Sequence, residues 1–279
     1  MIELPNLDLL LDSDPEMMTL PSIVHEILEL IDSSDSSSEE IVKLVSQDAV
    51  LTTKVLRMVN SAYYGLVAQI ETVAHAINII GLRTLRDIVV VTKVGEKFNG
   101  VSPDVVNVES FWENNLACAG MAKRLDQRQL IPRNNIFAPA LLSNIGVLVM
   151  LQKSPRASRH VLQAAKENRQ NIYDVEQEIL GYTHADISVE LMKRWEIPEI
   201  FIQVAKYRHH FYEGGSYSNE AAIVHLAASY TDRVQPFVNF EGLNSEPDLA
   251  IHNYINLPEI VIHEVMDEMD GGSTPSIMM

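Results

Sequence analysis

Apolar residues recur along this chain at helical spacing, and no stretch keeps strict apolar–polar alternation for long. Ile23, Ile27, Leu30 and Ile31 fall on one face of a helix that opens near Leu20-Pro21-Ser22, where proline suits a first turn. The polar run 32–38 predicts a short connection, and Ser37 with Glu40 has the spacing of a capping box that starts a second helix. Asp48 is the expected N-cap of a third, in which Leu51, Val55, Met58 and Val59 form an apolar stripe. Asn60 to Gly65 then ends it in a turn, with Gly65 at the C′ position. Thr72 is expected to begin a fourth helix, stopped by Gly81, and a fifth runs from Leu82 to about Phe98. The clearest break in the chain is Asn99-Gly100-Val101-Ser102-Pro103.

Beyond that break, an alanine-rich helix is expected from Phe111 to about Leu125. Pro132 to Asn135 reads as a turn, and a nearly all-apolar helix from Ala138 to Leu151 has to be central. An amphipathic helix follows over 155–168 and a short one over 174–180. Thr183 with Asp186 repeats the capping-box spacing ahead of the face Ile187, Leu191 and Trp195. Ile197-Pro198 interrupts this helix, another runs from Glu199 to about Phe211, and a further one from Asn219 to about Val234. A last helix is expected near Leu249 to Met269, and 271–276 reads as disordered. The fold class is therefore all-α. A helical bundle over 1–100 packs on a second helical domain over 101–240, with a partly disordered C-terminal extension over 241–279.

Charge narrows the set of partners. The chain has 21 Lys and Arg against 38 Asp and Glu, a formal net charge of −17. Such a field repels phosphate backbones and anionic headgroups, so neither nucleic acid nor a membrane surface is an expected partner. The first fifty residues hold one base, Lys43, and none follows Asn239. These acidic ends suit solubility or docking to a basic partner. The start of the chain lacks signal-peptide order and no apolar run reaches the length of a membrane span, so a cytoplasmic location is expected. Cys118 is the only cysteine, which excludes an intramolecular disulfide, and its apolar neighbours suit a small core residue better than a nucleophile.

No phosphate-cradling glycine loop, Gly-x-Ser-x-Gly elbow or His-Glu-x-x-His helix occurs. Histidine is what remains: His184, His209, His210 and His225 lie in the C-terminal half, with Asp186, Glu213 and Asp232 nearby in sequence. Taken alone, these are cap, surface or core residues as readily as ligands.

Three segments carry a more specific signal. The first comprises Leu20-Pro21, then Val45 to Leu51, then Val55-Leu56-Arg57-Met58-Val59-Asn60-Ser61-Ala62-Tyr63-Tyr64-Gly65. The second is Ala76-Ile77-Asn78-Ile79-Ile80-Gly81-Leu82-Arg83-Thr84-Leu85-Arg86. The third joins Gly181 to Ile187, Trp195 to Pro198, and Arg208-His209-His210. Together they resemble the HDOD family over roughly residues 15–235. This family is related to the HD-domain phosphohydrolases and the HD-GYP phosphodiesterases.

In those enzymes a histidine, a His-Asp pair and a later aspartate hold metal ions that activate water. The resemblance sets Asn114 at the first position, Ser143 and Asn144 at the pair and Ala228 at the last. Amides and hydroxyls bind divalent ions far more weakly than imidazole and carboxylate. The resemblance therefore implies a degenerate HD-like domain with no metal and no cofactor. It also implies a non-catalytic regulatory or scaffold role through a protein partner in bacterial signal transduction. No receiver, kinase or cyclase segment is evident, so input or output is expected from another chain.

His184, His209 and His210 match histidines that assist metal binding in HD-GYP relatives. Here they are residual ligands or internal hydrogen-bonding groups. Asn60, Ser61, Tyr63, Tyr64, Arg83 and Arg86 are candidates for an interaction surface. Asn60 and its neighbours equally suit a helix end, and Arg83 and Arg86 equally suit pairing with Asp87 or Glu71. Two alternatives stay open: a metal-dependent phosphohydrolase built on the histidines, and a metal-free nucleotide sensor around Asn114 and Asn144.

Overall fold

The computed structural model describes residues 6–12, 14, 16–17, 19–32, 37–60, 69–98, 106–130, 136–234 and 249–270, and every regular element among them is helical. The helices gather into two compact units. One spans residues 19–99, and the other joins the first 18 residues to 100–271. Helix α1 (Leu7–Asp12) belongs to the second unit, so that unit is discontinuous in sequence rather than beginning near residue 100.

The smaller unit holds α2 (Ser22–Asp32), α3 (Ser38–Gln47), α4 (Ala49–Val59) and α5 (Val73–Gly95). Its helix starts follow local chemistry. Ser37 Oγ accepts the Glu40 N–H at 3.3 Å while Glu40 Oε2 accepts the Ser37 N–H at 3.0 Å, a complete capping box. Asp48 caps α4 through Leu51 N–H at 2.9 Å, and Thr72 caps α5 through His75 N–H at 3.1 Å. Gly81, at φ 79° and ψ 161°, breaks α5 in a region that residues with a Cβ rarely enter. The expected apolar face of α2 is shifted. Val24 and Ile27 are buried, while Ile23 and Leu30 are half-buried. The expected turn residue Gly65 and the expected break at 99–103 lie outside the described residues, as do 132–135 and 271–276.

Lys93 ties this unit together. Its ammonium, on a side chain only 9% exposed, donates to Asp48 Oδ2 at 2.7 Å and to Glu96 Oε2 at 3.2 Å, and Lys54 adds a bond to Glu96 Oε1 at 3.3 Å. Asp48 thus both caps α4 and neutralises a buried cation. Asp48→Ala is expected to cost about 2–3 kcal/mol, combining a lost cap with a stranded ammonium. The Leu51 N–H first, and Lys93 second, hold the Asp48 carboxyl below the usual aspartate range. Because the folded value is depressed, this stability is present above the unfolded value and is lost as pH falls through the folded one. Urea unfolding at neutral pH and at about pH 3 should show a smaller acid loss in Asp48→Asn than in the wild type. Equal acid losses would refute this account.

In the larger unit, α6 (Val108–Gln127) opens at Asn107, whose Oδ1 accepts the N–H groups of Glu109 and Ser110 at 2.8 and 3.3 Å. The apolar stretch expected as one helix is two, α7 (Phe137–Leu142) and α8 (Ile145–Lys153). Ser143 Oγ bonds back to Ala140 O at 2.8 Å, and Asn144 turns to φ −104° and ψ 10°, so the polar pair unwinds the helix between them. Next come α9 (Pro155–Asn168), α10 (Ile172–Leu180) and α11 (His184–Arg194), the last opened by the expected Thr183–Asp186 capping box. Helix α12 (Glu199–Tyr207) stops short of the expected Phe211. Arg208 caps the helix at φ −52° and ψ −38°, His210 leaves helical geometry at φ −134° and ψ 55°, and a 3₁₀ turn spans Phe211–Glu213. Helices α13 (Ser218–Val234) and α14 (Glu259–Asp270) complete the unit. The α11 face predicted from Ile187, Leu191 and Trp195 is fully buried. Among the described residues no single helix is long and apolar enough to cross a membrane.

Candidate functional site

Four elements of the larger unit converge on one buried polar centre. Helix α6 contributes Asn114, the α7–α8 turn Ser143 and Asn144, α13 Ala228 and Asp232, and the end of α12 Arg208. Arg208 is 5% exposed, and its Nη1 donates to Ser143 Oγ at 3.1 Å. Its backbone is held at both sides: its N–H donates to Val204 O at 3.0 Å, and its carbonyl lies 2.9 Å from His225 Nδ1.

Ala228 offers only a methyl group, but Asp232 stands one turn further along α13 and hence on the same face. Burial pushes the Asp232 carboxyl above its usual range, opposed by the Arg208 charge and a hydrogen bond with Asn114. Asn144 Oδ1 and Asp232 Oδ1 are buried without a hydrogen-bond partner.

Beside this centre lies an imidazole cluster. Glu176, 3% exposed on α10, accepts both the His184 backbone N–H at 2.8 Å and His184 Nδ1 at 2.6 Å from one carboxylate oxygen. That bond places the Nδ1 proton toward the carboxylate, so a neutral His184 ring turns its Nε2 lone pair to His209 Nε2, 3.3 Å away. His209 stacks on Tyr173 with centroids 4.3 Å apart. Burial first, and then the Arg208 charge, hold His209 well below the usual histidine range. His210 instead reaches Tyr212 OH at 3.3 Å on the exposed side, and His225 serves the Arg208 carbonyl.

This donor set does not fit the metal centre of the related phosphohydrolases. At the four positions that the resemblance sets against metal ligands stand an amide, a hydroxyl, an amide and a methyl, and a guanidinium is bonded to the hydroxyl. Among the described residues no group of three or more His, Cys, Asp or Glu is arranged to hold a metal ion. Cys118 is buried, and burial raises its thiol to about 12, so it is a packing residue rather than a thiolate. The sequence names Asp232 only as an acid near the histidines and Arg208 only within the Arg208-His209-His210 segment, and it gives Glu176 and Tyr173 no part in a site. Only Asp232 had a readable signal, its one-turn offset from Ala228.

The candidate surface in the smaller unit divides differently. Asn60 Nδ2 donates to Leu56 O and Ile70 O at 2.8 and 2.7 Å, and its Oδ1 accepts the Ile70 N–H at 2.7 Å. Its amide therefore pins the end of α4 to the segment that leads into α5. Arg86 is buried against Asp87, with Nε and Nη2 each 2.9 Å from Oδ1. Arg83 lies in α5 with its side chain outside the description, and Ser61, Tyr63 and Tyr64 lie outside the described residues.

A model of the HDOD domain matches residues 17–211. A protein of Treponema pallidum (strain Nichols), described only as uncharacterized, is 27% identical over 201 residues, covering 71% of this chain and 38% of that protein. The chain thus spans less than two fifths of that relative's length. A Shewanella amazonensis SB2B structure, described as "putative phosphohydrolase", superposes with a TM-score of 0.73 at 21% identity, over 100% of this chain and 98% of the other. A Marinobacter aquaeolei VT8 structure, described as a "putative signal transduction protein", gives 0.75 at 19% identity, over 100% of this chain and 66% of the other. At these identities the two structural likenesses are likenesses of fold.

Proposed function

Because the chain belongs to the HDOD domain family, we propose that it is a non-catalytic regulatory module of bacterial signal transduction that acts by binding a protein partner. The observation that carries this reading is the hydroxyl of Ser143, bonded to the Arg208 guanidinium where the related enzymes need a metal-ligating imidazole. A guanidinium cannot polarise water into hydroxide as a metal does, so the centre lacks the means to make the hydrolytic nucleophile. The signalling description of a structural neighbour agrees with this reading. The test is metal content by inductively coupled plasma mass spectrometry after loading with Mn²⁺, Fe²⁺ and Zn²⁺ and desalting. At most about one ion per ten chains is expected, with no cleavage of bis(p-nitrophenyl) phosphate above buffer. Near-stoichiometric retained metal would overturn the reading.

One geometry favours a second reading, a metal-dependent phosphohydrolase. The 3.3 Å between His184 Nε2 and His209 Nε2 is about the spacing of two nitrogens on a tetrahedral ion with metal–nitrogen bonds of about 2.0–2.1 Å. Glu176 also sits behind His184 as carboxylates do behind metal-ligating histidines. This reading requires phosphodiester turnover that disappears on chelation and in His184→Ala or His209→Ala.

A further inference from the structure

The buried centre of the larger unit has a fixed cation of its own. Arg208 comes from the end of α12, with its backbone held by Val204 and by His225 of α13, and its guanidinium enters between helices to bond Ser143 Oγ. Its charge acts on three groups from neighbouring elements: Asp232 of α13, Cys118 of α6 and the adjacent His209. Asp232 is the carboxylate among them, and its partner Asn114 occupies one of the vacated ligand positions. The centre therefore keeps a cation, a carboxylate and polar groups on four elements, but the cation is covalently part of the chain.

We propose that Arg208 replaces the lost metal ion as the cation of this centre, and that Asp232, displaced one turn from Ala228, replaces the lost carboxylate. This inference rests on the metal-free reading above and adds why the metal is excluded. A guanidinium remains charged at every physiological pH and carries five N–H groups in a plane. It can therefore hold the α7–α8 turn through Ser143 without a bound ligand. Its positive charge also repels a divalent ion entering the same space. The unpartnered Asn144 Oδ1 and Asp232 Oδ1 mark acceptors that this arrangement leaves for the remaining guanidinium N–H groups or for water.

A double-mutant cycle and a metal-return series test the proposal. In urea unfolding, Arg208→Met and Asp232→Asn should each raise the unfolding constant by about 100-fold or more, because each strands a buried partner. The double variant should fall short of the product of the two effects by at least about tenfold. Multiplicative effects overturn the proposal. If Arg208→Met fails to fold, the second series decides. Ser143→His, Asn144→Asp and Ala228→Asp are introduced together, once with Arg208 retained and once with Arg208→Gln. With Arg208 retained, the protein should keep no Mn²⁺ through desalting; with Arg208→Gln it should keep Mn²⁺ near stoichiometrically. Equal metal content in the two backgrounds, whether high or absent, overturns the proposal. Metal retained by the wild-type protein would instead overturn the functional reading beneath it.

Discussion

Gly146→Ala is expected to lower the melting temperature by about 10 °C or more, although alanine is the better helix former by about 1 kcal/mol. A Cβ at this position would lie 2.0 Å from the His184 carbonyl oxygen and 2.9 Å from Ser188 Oγ. The near atom is backbone, so no rotamer change clears it. Helix α11 itself would have to move away from α8. That movement breaks the Gly146 N–H bond to Ser188 Oγ at 2.9 Å. It also disturbs the Glu176 contacts at the start of α11. Overpacking of this kind, against backbone that cannot rotate away, costs about 3 kcal/mol or more, which exceeds the helix-propensity gain. Thermal melts followed by circular dichroism separate the two effects. A melting temperature equal to or above the wild type would mean that propensity wins and that the α8–α11 approach is softer than described.

The all-α class and most helix starts were legible because their causes are local. Ser37 with Glu40, Asp48, Thr72 and Thr183 with Asp186 each satisfy helix-end N–H groups within three residues of themselves, and the structure uses all of them as caps. Gly81 broke its helix as expected for the same reason, a single backbone conformation. The errors came where two local signals competed. From Ala138 to Leu151 the apolar run outweighed the Ser143-Asn144 interruption in the reading, yet those two side chains turn the backbone. From Glu199 to Phe211 the apolar spacing continues past Tyr207, but Arg208 and His209 are taken up by tertiary partners rather than by the helix.

The candidate centre was legible as a set of substitutions and not as an arrangement. The family resemblance singles out Asn114, Ser143, Asn144 and Ala228, and all four are buried. Nothing within a few residues of Arg208 indicates that its side chain reaches Ser143, 65 positions earlier. Glu176 likewise acts on His184 across a helix and a turn. Long-range partners of buried charges follow from packing, and packing is the part of the fold that periodicity does not encode. The same distinction bears on function. Residue types at single positions are read from the sequence, while the partners of Arg208 and Glu176 are set by the three-dimensional packing.

Trp195→Ala is expected to cost about 3–5 kcal/mol and to release the N-terminal segment from the larger unit. The indole is 0% exposed, and its Nε1 donates to the Met17 carbonyl at 3.0 Å, so one side chain fills the core and fastens residues before α2. Two ion pairs support the same segment: Arg194 to Asp12 at 2.8 Å, and Lys153 to Asp14. The Asp12 side chain is 66% exposed, and exposed pairs contribute about 0–1 kcal/mol, so the indole should dominate. Trp195→Phe keeps most of the ring but leaves the Met17 carbonyl unpaired, at a cost of about 1–2 kcal/mol. The expected order of stability by urea unfolding is therefore Arg194→Ala above Trp195→Phe above Trp195→Ala. Limited proteolysis ahead of residue 18 should accelerate in the same order. If Arg194→Ala loses as much stability as Trp195→Ala, the surface pairs hold the segment and the buried indole does not.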